Sequence, residues 1–287
     1  MATLLPSARI KCHFRSLIVE ALFKNVITII QITDCHLFKR EDKQGYSGIT
    51  PFHSLKRVLQ HAVSWAIAQN TMASVLLLVT GDISGDDSLE SYTLFMSLMQ
   101  EYADANGIAW AVIPGNHDNN THFDNVLAAK HLKSHTPLTL GKWLIHGTDS
   151  RSTCSTKSAK GNLRASDIMS IASHVAAQPH LNHALAVHHH LKPSNSWMDN
   201  HSLSVADLIE QLASNYNALK VIVHGHVHAP LRYTLGDFNT PVYGCPSTCW
   251  QWAMQSDFGV TNEAPGYQLI QLSDDGSVGV KVVRVDD

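Results

Sequence analysis

Short apolar runs alternate with amphipathic stretches over the first part of the chain. Residues 26–33, 75–79 and 108–113 are rich in β-branched and aliphatic side chains, which is typical of strands buried on both faces. Residues 51–70, opening on a proline, and residues 89–103 carry apolar side chains at helical spacing. This β-α-β rhythm predicts an α/β protein that contains parallel strands.

The alternation is less regular after residue 140. The predicted elements there are strands at residues 143–146, 184–187 and 221–223, a helix at 166–177 and a Ser/Lys/Gly-rich loop at 150–162 that we expect at the rim of a site. We expect Ser204 to cap a further helix, with Asp207 placed for a capping box. The last apolar segments are predicted to be strands of a second sheet, at residues 231–234, 241–244, 267–272 and 278–285.

The first 24 residues have no clear period. We expect them to form an N-terminal extension, with a short helix or an edge strand at 14–23, ahead of a single domain over 25–287. The apolar stretch 17–23 is split by Glu20 and lacks a convincing cleavage site, and no apolar run approaches the roughly 18 residues of a membrane span. The chain is therefore predicted to be cytoplasmic, without membrane contact.

The charge and the cysteine content limit the class of substrate and the redox compartment. The net charge is −3 and no Lys/Arg run occurs, which argues against a nucleic-acid groove and favours a small-molecule substrate. The five cysteines are odd in number and form no C-x-x-C pair, which indicates reduced thiols. In a reducing compartment the glycosylation sequons at Asn119 and Asn200 are chance matches. The 19 histidines exceed the needs of one site.

Five blocks of metal-ligating residue types follow apolar runs. They are Asp34-Cys35-His36, Gly81-Asp82, Gly115-Asn116-His117-Asp118, His188-His189-His190 and Gly225-His226-Val227-His228. The carboxyl ends of strands in an α/β sheet face a crevice, where loops bring together side chains from distant positions. The blocks therefore predict a site for two metal ions and phosphoester chemistry.

The acidic residues suggest how two ions would be shared. Two metal ions about 3.5–4 Å apart need a short bridging ligand, and we assign that role to Asp82, although Gly-Asp alone would favour an ordinary turn. Asp34 and His36 are expected to project from the same side of an extended backbone and to share the first ion. Cys35 would then point away as a buried thiol.

The remaining blocks supply further ligands and an acid. His226 and His228 alternate in the same way, and a two-metal site accepts one of them on each ion. Asn116 offers a neutral amide oxygen for the second ion. His117 is expected to face the substrate, stabilising charge on phosphate or protonating the leaving oxygen, and Asp118 to orient it. Taken separately, this block is equally compatible with a polar turn.

We expect one ligand from the triple histidine. His188 is the first residue after the strand and is the preferred candidate, with His189 as the alternative and the rest at the surface or behind the ligands. Histidines assigned a structural or solvent-facing role are His53, His61, His122, His131, His135 and His224.

The ordered blocks resemble the calcineurin-like metallophosphoesterases, whose pattern is D-x-H, G-D, G-N-H-D/E, H and G-H-x-H. The similarity extends from about residue 26 to residue 228. Four further segments, 30–38, 196–203, 246–249 and 264–267, resemble bacterial class III 3′,5′-cyclic AMP phosphodiesterases. Three features depart from that family: Cys35 in place of a small hydroxyl residue, the proline after the histidines displaced to Pro193, and the N-terminal extension.

The resemblance implies a fold and a ligand set. The fold is a four-layer αββα sandwich of two mixed sheets flanked by helices, and the cofactors are two divalent ions of the iron or manganese type. The first ion would take Asp34, His36, Asp82 and His228, and the second Asp82, Asn116, His188 and His226. His117 would carry the acid role.

These inferences combine into one hypothesis. A hydroxide that bridges the ions attacks phosphorus in line, His117 assists the departing 3′-oxygen, and cyclic AMP is converted to 5′-AMP. The substrate would contact His36, Asn116, His117 and His228, with its sugar and base over residues 196–203. The alternatives are the same chemistry on another small phosphodiester, nucleotide or phosphomonoester, and a non-catalytic His-rich metal-binding protein.

Overall fold

The computed structural model describes residues 26–69, 74–152 and 158–286. Its strands are β1 (Val26–Ile32), β2 (Val75–Val79), β3 (Ala109–Val112), β4 (Leu138–Leu140), β5 (Trp143–Gly147), β6 (Asn182–Val187), β7 (Leu219–His224), β8 (Arg232–Leu235), β9 (Thr240–Gly244), β10 (Gly266–Ser273) and β11 (Val278–Arg284). Its α-helices are α1 (Pro51–Ala68), α2 (Leu89–Tyr102), α3 (Thr121–Val126), α4 (Ala165–Ala177) and α5 (Ala206–Asn215). The expected N-terminal extension lies outside the described residues, as does the helix or strand expected at 14–23.

The strands form two mixed sheets. The first has five strands in the order β11-β10-β1-β2-β3, in which β1, β2 and β3 are parallel and β10 and β11 are antiparallel additions. The second has six strands in the order β4-β5-β6-β7-β9-β8, with parallel strands at its centre and the antiparallel β4 and β8 at its edges. The predicted parallel core is therefore present in both sheets.

Alternate residues of each strand face different layers. Ile29 of β1 packs in an apolar cluster with Val221 of β7, so the two sheets lie face to face. The next residue, Ile30, packs with Leu59 of α1 in the cluster beneath the first pair of helices. On the other side, Ile222 of β7 joins a cluster with α4 and α5. Because both faces of these strands are covered, they are apolar throughout. The order helix, sheet, sheet, helix confirms the four-layer sandwich.

Two expectations about the C-terminal half are wrong. The four last strands do not form a sheet of their own: β8 and β9 extend the second sheet beside β7, whereas β10 pairs with β1 and carries β11 into the first. Strand periodicity reports burial and not the pairing partner, so it does not distinguish these arrangements. Ser204 also does not cap α5, because Val205 stands at the N-cap and no side chain caps the helix. The N–H of Ser204 donates instead to the carbonyl of Gly161.

Among the described residues, the model contains no helix whose length and hydropathy would suit a membrane span.

Candidate active site

The five blocks converge at the carboxyl ends of five parallel strands drawn from both sheets. Asp34 and His36 follow β1, Asp82 follows β2, Asn116 and His117 follow β3, His188 follows β6, and His226 and His228 follow β7. Their ligand atoms form three groups that each span no more than 4.8 Å. We call Asp34–His36–His228 the first cluster and Asp82–His188–His226 the second, and the group His36–Asp82–His117 connects them. The seven side chains expected to bind metal are all less than a tenth exposed.

Asp82 lies between the two clusters. Its Oδ2 is 3.4 Å from Nε2 of His188 and 3.9 Å from Nε2 of His36. On the far side of His36, Oδ1 of Asp34 is 3.3 Å from Nε2 of His228. Nε2 of His188 is also 3.2 Å from Oδ1 of Asn116. The arrangement therefore joins two groups of donors through one carboxylate.

The backbone presents these side chains in an unexpected way. Asp34, His36, Asp82, His226 and His228 all have left-handed backbone, with φ between 46° and 68°. The expectation that Asp34 and His36 alternate along an extended strand is therefore wrong. Asp34 and His36 form one pair with this backbone, and His226 and His228 form another. In each pair both side chains reach the site. For residues with a Cβ this conformation costs about 1–2 kcal/mol.

Two glycines allow the strand ends to approach closely. Gly81 has a φ of 99°, and a Cβ there would lie 2.5 Å from Nδ1 of His188. At Gly225 a Cβ would lie 2.8 Å from Oδ2 of Asp34. Residues with side chains at these positions would displace the groups that define the clusters.

Backbone carbonyls fix the orientation of three imidazoles. Nδ1 of His228 donates to the carbonyl of Trp250 at 2.8 Å, and Nδ1 of His188 donates to that of Thr80 at 2.7 Å. In His226 the pattern is reversed, because Nε2 donates to the carbonyl of His201 at 3.0 Å. A carbonyl only accepts, so in the neutral form of each ring the other nitrogen carries the lone pair that a metal ligand requires. Burial opposes protonation of His188, but the Asp82 carboxylate raises its pKa to about 9, so a cation bound at this ring would replace a proton.

The donor set fits divalent cations. Oδ2 of Asp34 accepts from Thr33 and from the N–H of His226, whereas its Oδ1 is buried beside the cluster without a hydrogen-bond partner. Burial opposes ionisation of Asp34, but His228 lowers its pKa below the usual range. Burial likewise opposes ionisation of Asp82, whose pKa is lowered strongly by His188 and His117. Ionised carboxylates, imidazoles and an amide oxygen are ligand types that divalent cations take in proteins.

His117 differs from the seven buried side chains because it is exposed. Its ring meets that of His36 edge to face at a centroid distance of 4.9 Å, and its backbone N–H donates to Oδ1 of Asp82 at 2.8 Å. Its ring nitrogen falls within 4.8 Å of donor atoms of His36 and Asp82. The imidazole therefore stands over the clusters, open to a bound molecule.

Asp118 has a different partner from the one expected. Its carboxylate accepts from the backbone N–H groups of Ile83, Ser84 and Gly115 and from the hydroxyl of Tyr92. These bonds occupy both oxygens and tie the loop after β2 to the loop after β3. Burial and the nearby Asp82 raise the pKa of Asp118 to about 6. The expectation that Asp118 orients the His117 ring is therefore wrong. Asp118 instead holds together the two loops that carry Asp82 and Asn116.

The three consecutive histidines after β6 have different surroundings. His188 enters the second cluster, whereas Nδ1 of His189 lies 2.7 Å from the hydroxyl of Ser150 and its Nε2 donates to the carbonyl of Ala159. His190 and His224 are buried, behind the ligands. Cys35 is buried as expected, and burial raises the pKa of its thiol.

The sequence did not predict most of an aromatic wall beside the clusters; of its five rings, Trp197 alone lies in segment 196–203, which was expected to face the substrate. The rings of the wall are Tyr46, Trp197, Trp250, Trp252 and Phe258. They come from three loops, and no periodic pattern connects them. The aromatic spacing at Trp250 and Trp252, directly after segment 246–249, is the one local signal that could have indicated it.

Comparison with known proteins agrees with this architecture. The sequence profile described as Calcineurin-like phosphoesterase matches residues 27–230. Relatives include the 3′,5′-cyclic adenosine monophosphate phosphodiesterase CpdA of Pseudomonas aeruginosa, 31% identical over 91% of both chains, and that of Vibrio vulnificus, 29% identical over 93% of both. A 3′,5′-cyclic-nucleotide phosphodiesterase of Nostoc is 30% identical over 90% of this chain and 92% of its own.

Solved structures share the fold at low identity. A dimetal phosphatase from Danio rerio superposes with a TM-score of 0.60 at 11% identity, covering 91% of this chain and 99% of its own. The calcineurin-like phosphoesterase YfkN from Bacillus subtilis gives a TM-score of 0.51 at 12% identity, with 91% of each chain covered. With the profile match over most of its length, the chain belongs to the calcineurin-like phosphoesterase family.

Proposed function

We propose that this phosphoesterase hydrolyses 3′,5′-cyclic AMP to 5′-AMP at a pair of divalent cations of the iron or manganese type. Asp34, His36 and His228 would hold the first cation and Asn116, His188 and His226 the second, with Asp82 between them. The observation that carries the proposal is the position of the Asp82 carboxylate, within 4 Å of imidazole nitrogens on either side.

The names of the relatives and a small cavity over the clusters support this substrate. Proteins named as cyclic AMP phosphodiesterases align with this chain over about nine tenths of its length. A small cavity of about 190 Å³ lies over the clusters, lined by Asp82, Asn116, His117 and residues of segment 196–203. A cavity of this size over the clusters supports a small phosphodiester as the substrate.

Bound cations would activate water as a nucleophile and neutralise charge on the phosphate. The chain supplies the rest. Asp34 and Asp82 are kept ionised by neighbouring imidazoles, and the carbonyls of Trp250, Thr80 and His201 prevent the ligand rings from rotating. His117 extends into the open side of the site, where its ring can donate a proton to the departing 3′-oxygen. His36, Asn116 and His228 line the same cavity, which supports substrate contacts by these residues.

A substrate panel tests the proposal. The purified protein, loaded with Mn²⁺, is assayed with cyclic AMP, cyclic GMP, bis(p-nitrophenyl) phosphate and p-nitrophenyl phosphate, and the nucleotide product is identified by chromatography. We expect 5′-AMP, with kcat/KM for cyclic AMP about tenfold or more above that for the aryl esters. A preference for the monoester would reassign the substrate. A metal-loaded protein inert towards all four would support a non-catalytic metal-binding role.

A further inference from the structure

A large aromatic cleft opens from the candidate active site. We use this name for the cavity of about 620 Å³ whose wall contains Tyr46, Trp197, Trp250, Trp252 and Phe258. His36 and His117 line the cleft as well as the small cavity over the clusters, and so do Trp197 and Trp252. A molecule whose phosphate lies over the clusters can therefore extend directly into the cleft.

The floor of the cleft is fixed to the metal-ligating histidines. Trp250 stacks on His36 at a centroid distance of 5.3 Å and an interplanar angle of 21°, and Trp252 stacks on His228 at 4.6 Å and 21°. The other side of Trp250 rests on Gly45, where a Cβ would lie at 3.0 Å or less from three ring carbons. The floor is thus positioned by the same residues that form the first cluster.

The rim of the cleft is aromatic but open to solvent. Tyr46 is 48% exposed and Phe258 is 54% exposed. Tyr46, Trp252 and Phe258 meet one another at interplanar angles of 77°, 58° and 55°, so no two of these rings are stacked in parallel. Exposed apolar groups arranged around a cavity mark a binding site, because a ligand that covers them removes their surface from water.

The residues that line the cleft favour a planar, uncharged group of a ligand. Among the described residues that line the cleft, Lys43 is the one with a permanent charge, and its ammonium lies at the outer edge, 5.9 Å from the Phe38 ring. A second phosphate or a glycerol group would find few partners there. Trp250 is buried between His36 and Gly45, but an aromatic heterocycle can stack on the exposed rings of Tyr46 and Phe258. Base–aromatic stacking contributes about 1–3 kcal/mol per base.

We propose that the aromatic cleft binds the nucleobase of the substrate by stacking, with Tyr46 and Phe258 as the rings that cover it. The inference rests on the proposed function in so far as the substrate is a nucleotide. It modifies the expectation that sugar and base lie over residues 196–203: Trp197 faces the cleft, whereas Met198 and His201 line the small cavity. The sugar then spans the boundary that Trp197 and Trp252 share.

Kinetics with and without a base test the proposal. The variants are Phe258→Ala and Tyr46→Ala, and the control is Phe238→Ala, an aromatic residue of similar exposure (49%) in the turn between β8 and β9. Cyclic AMP is compared with ribose 3′,5′-cyclic phosphate, which has the same diester and no base. We expect the ratio of kcat/KM for the two substrates to fall about tenfold in each variant, mainly through KM, and to keep its wild-type value in the control.

A binding measurement separates this inference from the proposed function. Tryptophan fluorescence is titrated with 5′-AMP and with ribose 5-phosphate in the Mn²⁺-loaded wild type and Phe258→Ala proteins. We expect the wild type to bind 5′-AMP about tenfold or more tightly than ribose 5-phosphate, and the variant to lose that preference. Equal affinity for the two ligands in the wild type would overturn the base site, even if cyclic AMP is a substrate. Base-dependent binding without turnover of cyclic AMP would leave the base site and overturn the proposed substrate.

Discussion

At the scale of single residues, the site combines several features that oppose folding. Five ligand candidates have left-handed backbone, two carboxylates are buried close together, and Oδ1 of Asp34 has no hydrogen-bond partner. Buried polar groups and left-handed residues each cost free energy of folding, and such costs persist where function requires them. Cations bound between the carboxylates would offset them by supplying the missing charge.

Replacement of Asp82 and of His117 should have different consequences. Asp82→Ala removes the carboxylate between the clusters, so we expect loss of both metal binding and turnover. His117→Ala removes an exposed ring, so we expect metal content to remain and kcat to fall by about 10²–10⁴-fold. Metal content by mass spectrometry and single-substrate kinetics report the two effects. If His117→Ala also lost a metal ion, the ring would be a ligand and the acid role would be wrong.

The limits of sequence reasoning are clearest at single positions. The block pattern selected Asp82 and His188, which the structure brings into one cluster, because metal ligands need particular residue types at strand ends. It did not reveal the left-handed backbone at Asp34, because φ depends on how the loops pack. The contacts of Asp118 were missed for the same reason, since its partners Ile83 and Tyr92 are distant in sequence.

At the scale of elements, strand identity was predictable and strand pairing was not. An apolar run such as β2 reports that both of its faces are covered, which its fully buried pattern bears out. The apolar pattern of a strand does not indicate its neighbours. The sequence of β10 does not show whether it pairs with β1 or with β9, because that choice depends on the whole set of strands. The aromatic cleft was missed for a related reason: three loops build it, and each alone is an ordinary polar or irregular segment.

A buried glutamine links elements of the two sheets. Gln31 of β1 is fully buried, and its Nε2 donates to the hydroxyl of Thr80 at 2.8 Å and to the carbonyl of His224 in β7 at 3.2 Å. Its Oε1 accepts from Gln268 of β10 at 2.6 Å. The side chain therefore connects the strand ends that carry three of the ligand blocks.

Loss of these hydrogen bonds should weaken the fold. Gln31→Leu keeps the approximate volume but leaves the amide of Gln268 buried and unpaired, so we expect the free energy of unfolding to fall by about 1–3 kcal/mol. Gln271→Leu, on the exposed side of β10, is the matched control and should stay within about 0.5 kcal/mol of the wild type. Urea denaturation measures both. Equal stability of the two variants would contradict a structural role for the network.

At the scale of the whole molecule, the large number of histidines has a consequence for stability in acid. Several are buried away from the candidate site, and one pair is well defined. Nε2 of His146 lies 2.9 Å from Nδ1 of His183, whose Nε2 donates to the carbonyl of Gln178 at 3.0 Å. That carbonyl fixes the tautomer of His183, so its Nδ1 accepts a hydrogen bond from the Nε2–H of His146. Protonation of His183 at Nδ1 would remove the acceptor of this hydrogen bond. On His146 the free nitrogen is Nδ1, which is buried without a hydrogen-bond partner, so a proton added there would also be unpaired.

The fold should therefore lose stability as the pH falls below the ordinary range of histidine. Burial, with the neighbouring His183 and His174, lowers the pKa of His146 from 6.5 to about 3. The folded state then resists a proton that the unfolded chain accepts, so this contribution is complete above about pH 6.5 and declines towards pH 3, by about 1.4 kcal/mol per pH unit for one proton. His146→Leu should reduce the slope of unfolding free energy against pH by that amount between about pH 4 and 6. The exposed His135→Gln is the control, and both are compared with the wild type under the same metal conditions, so that the metal ligands contribute equally. An unchanged slope in His146→Leu would mean that the buried ring does not resist protonation in the folded protein.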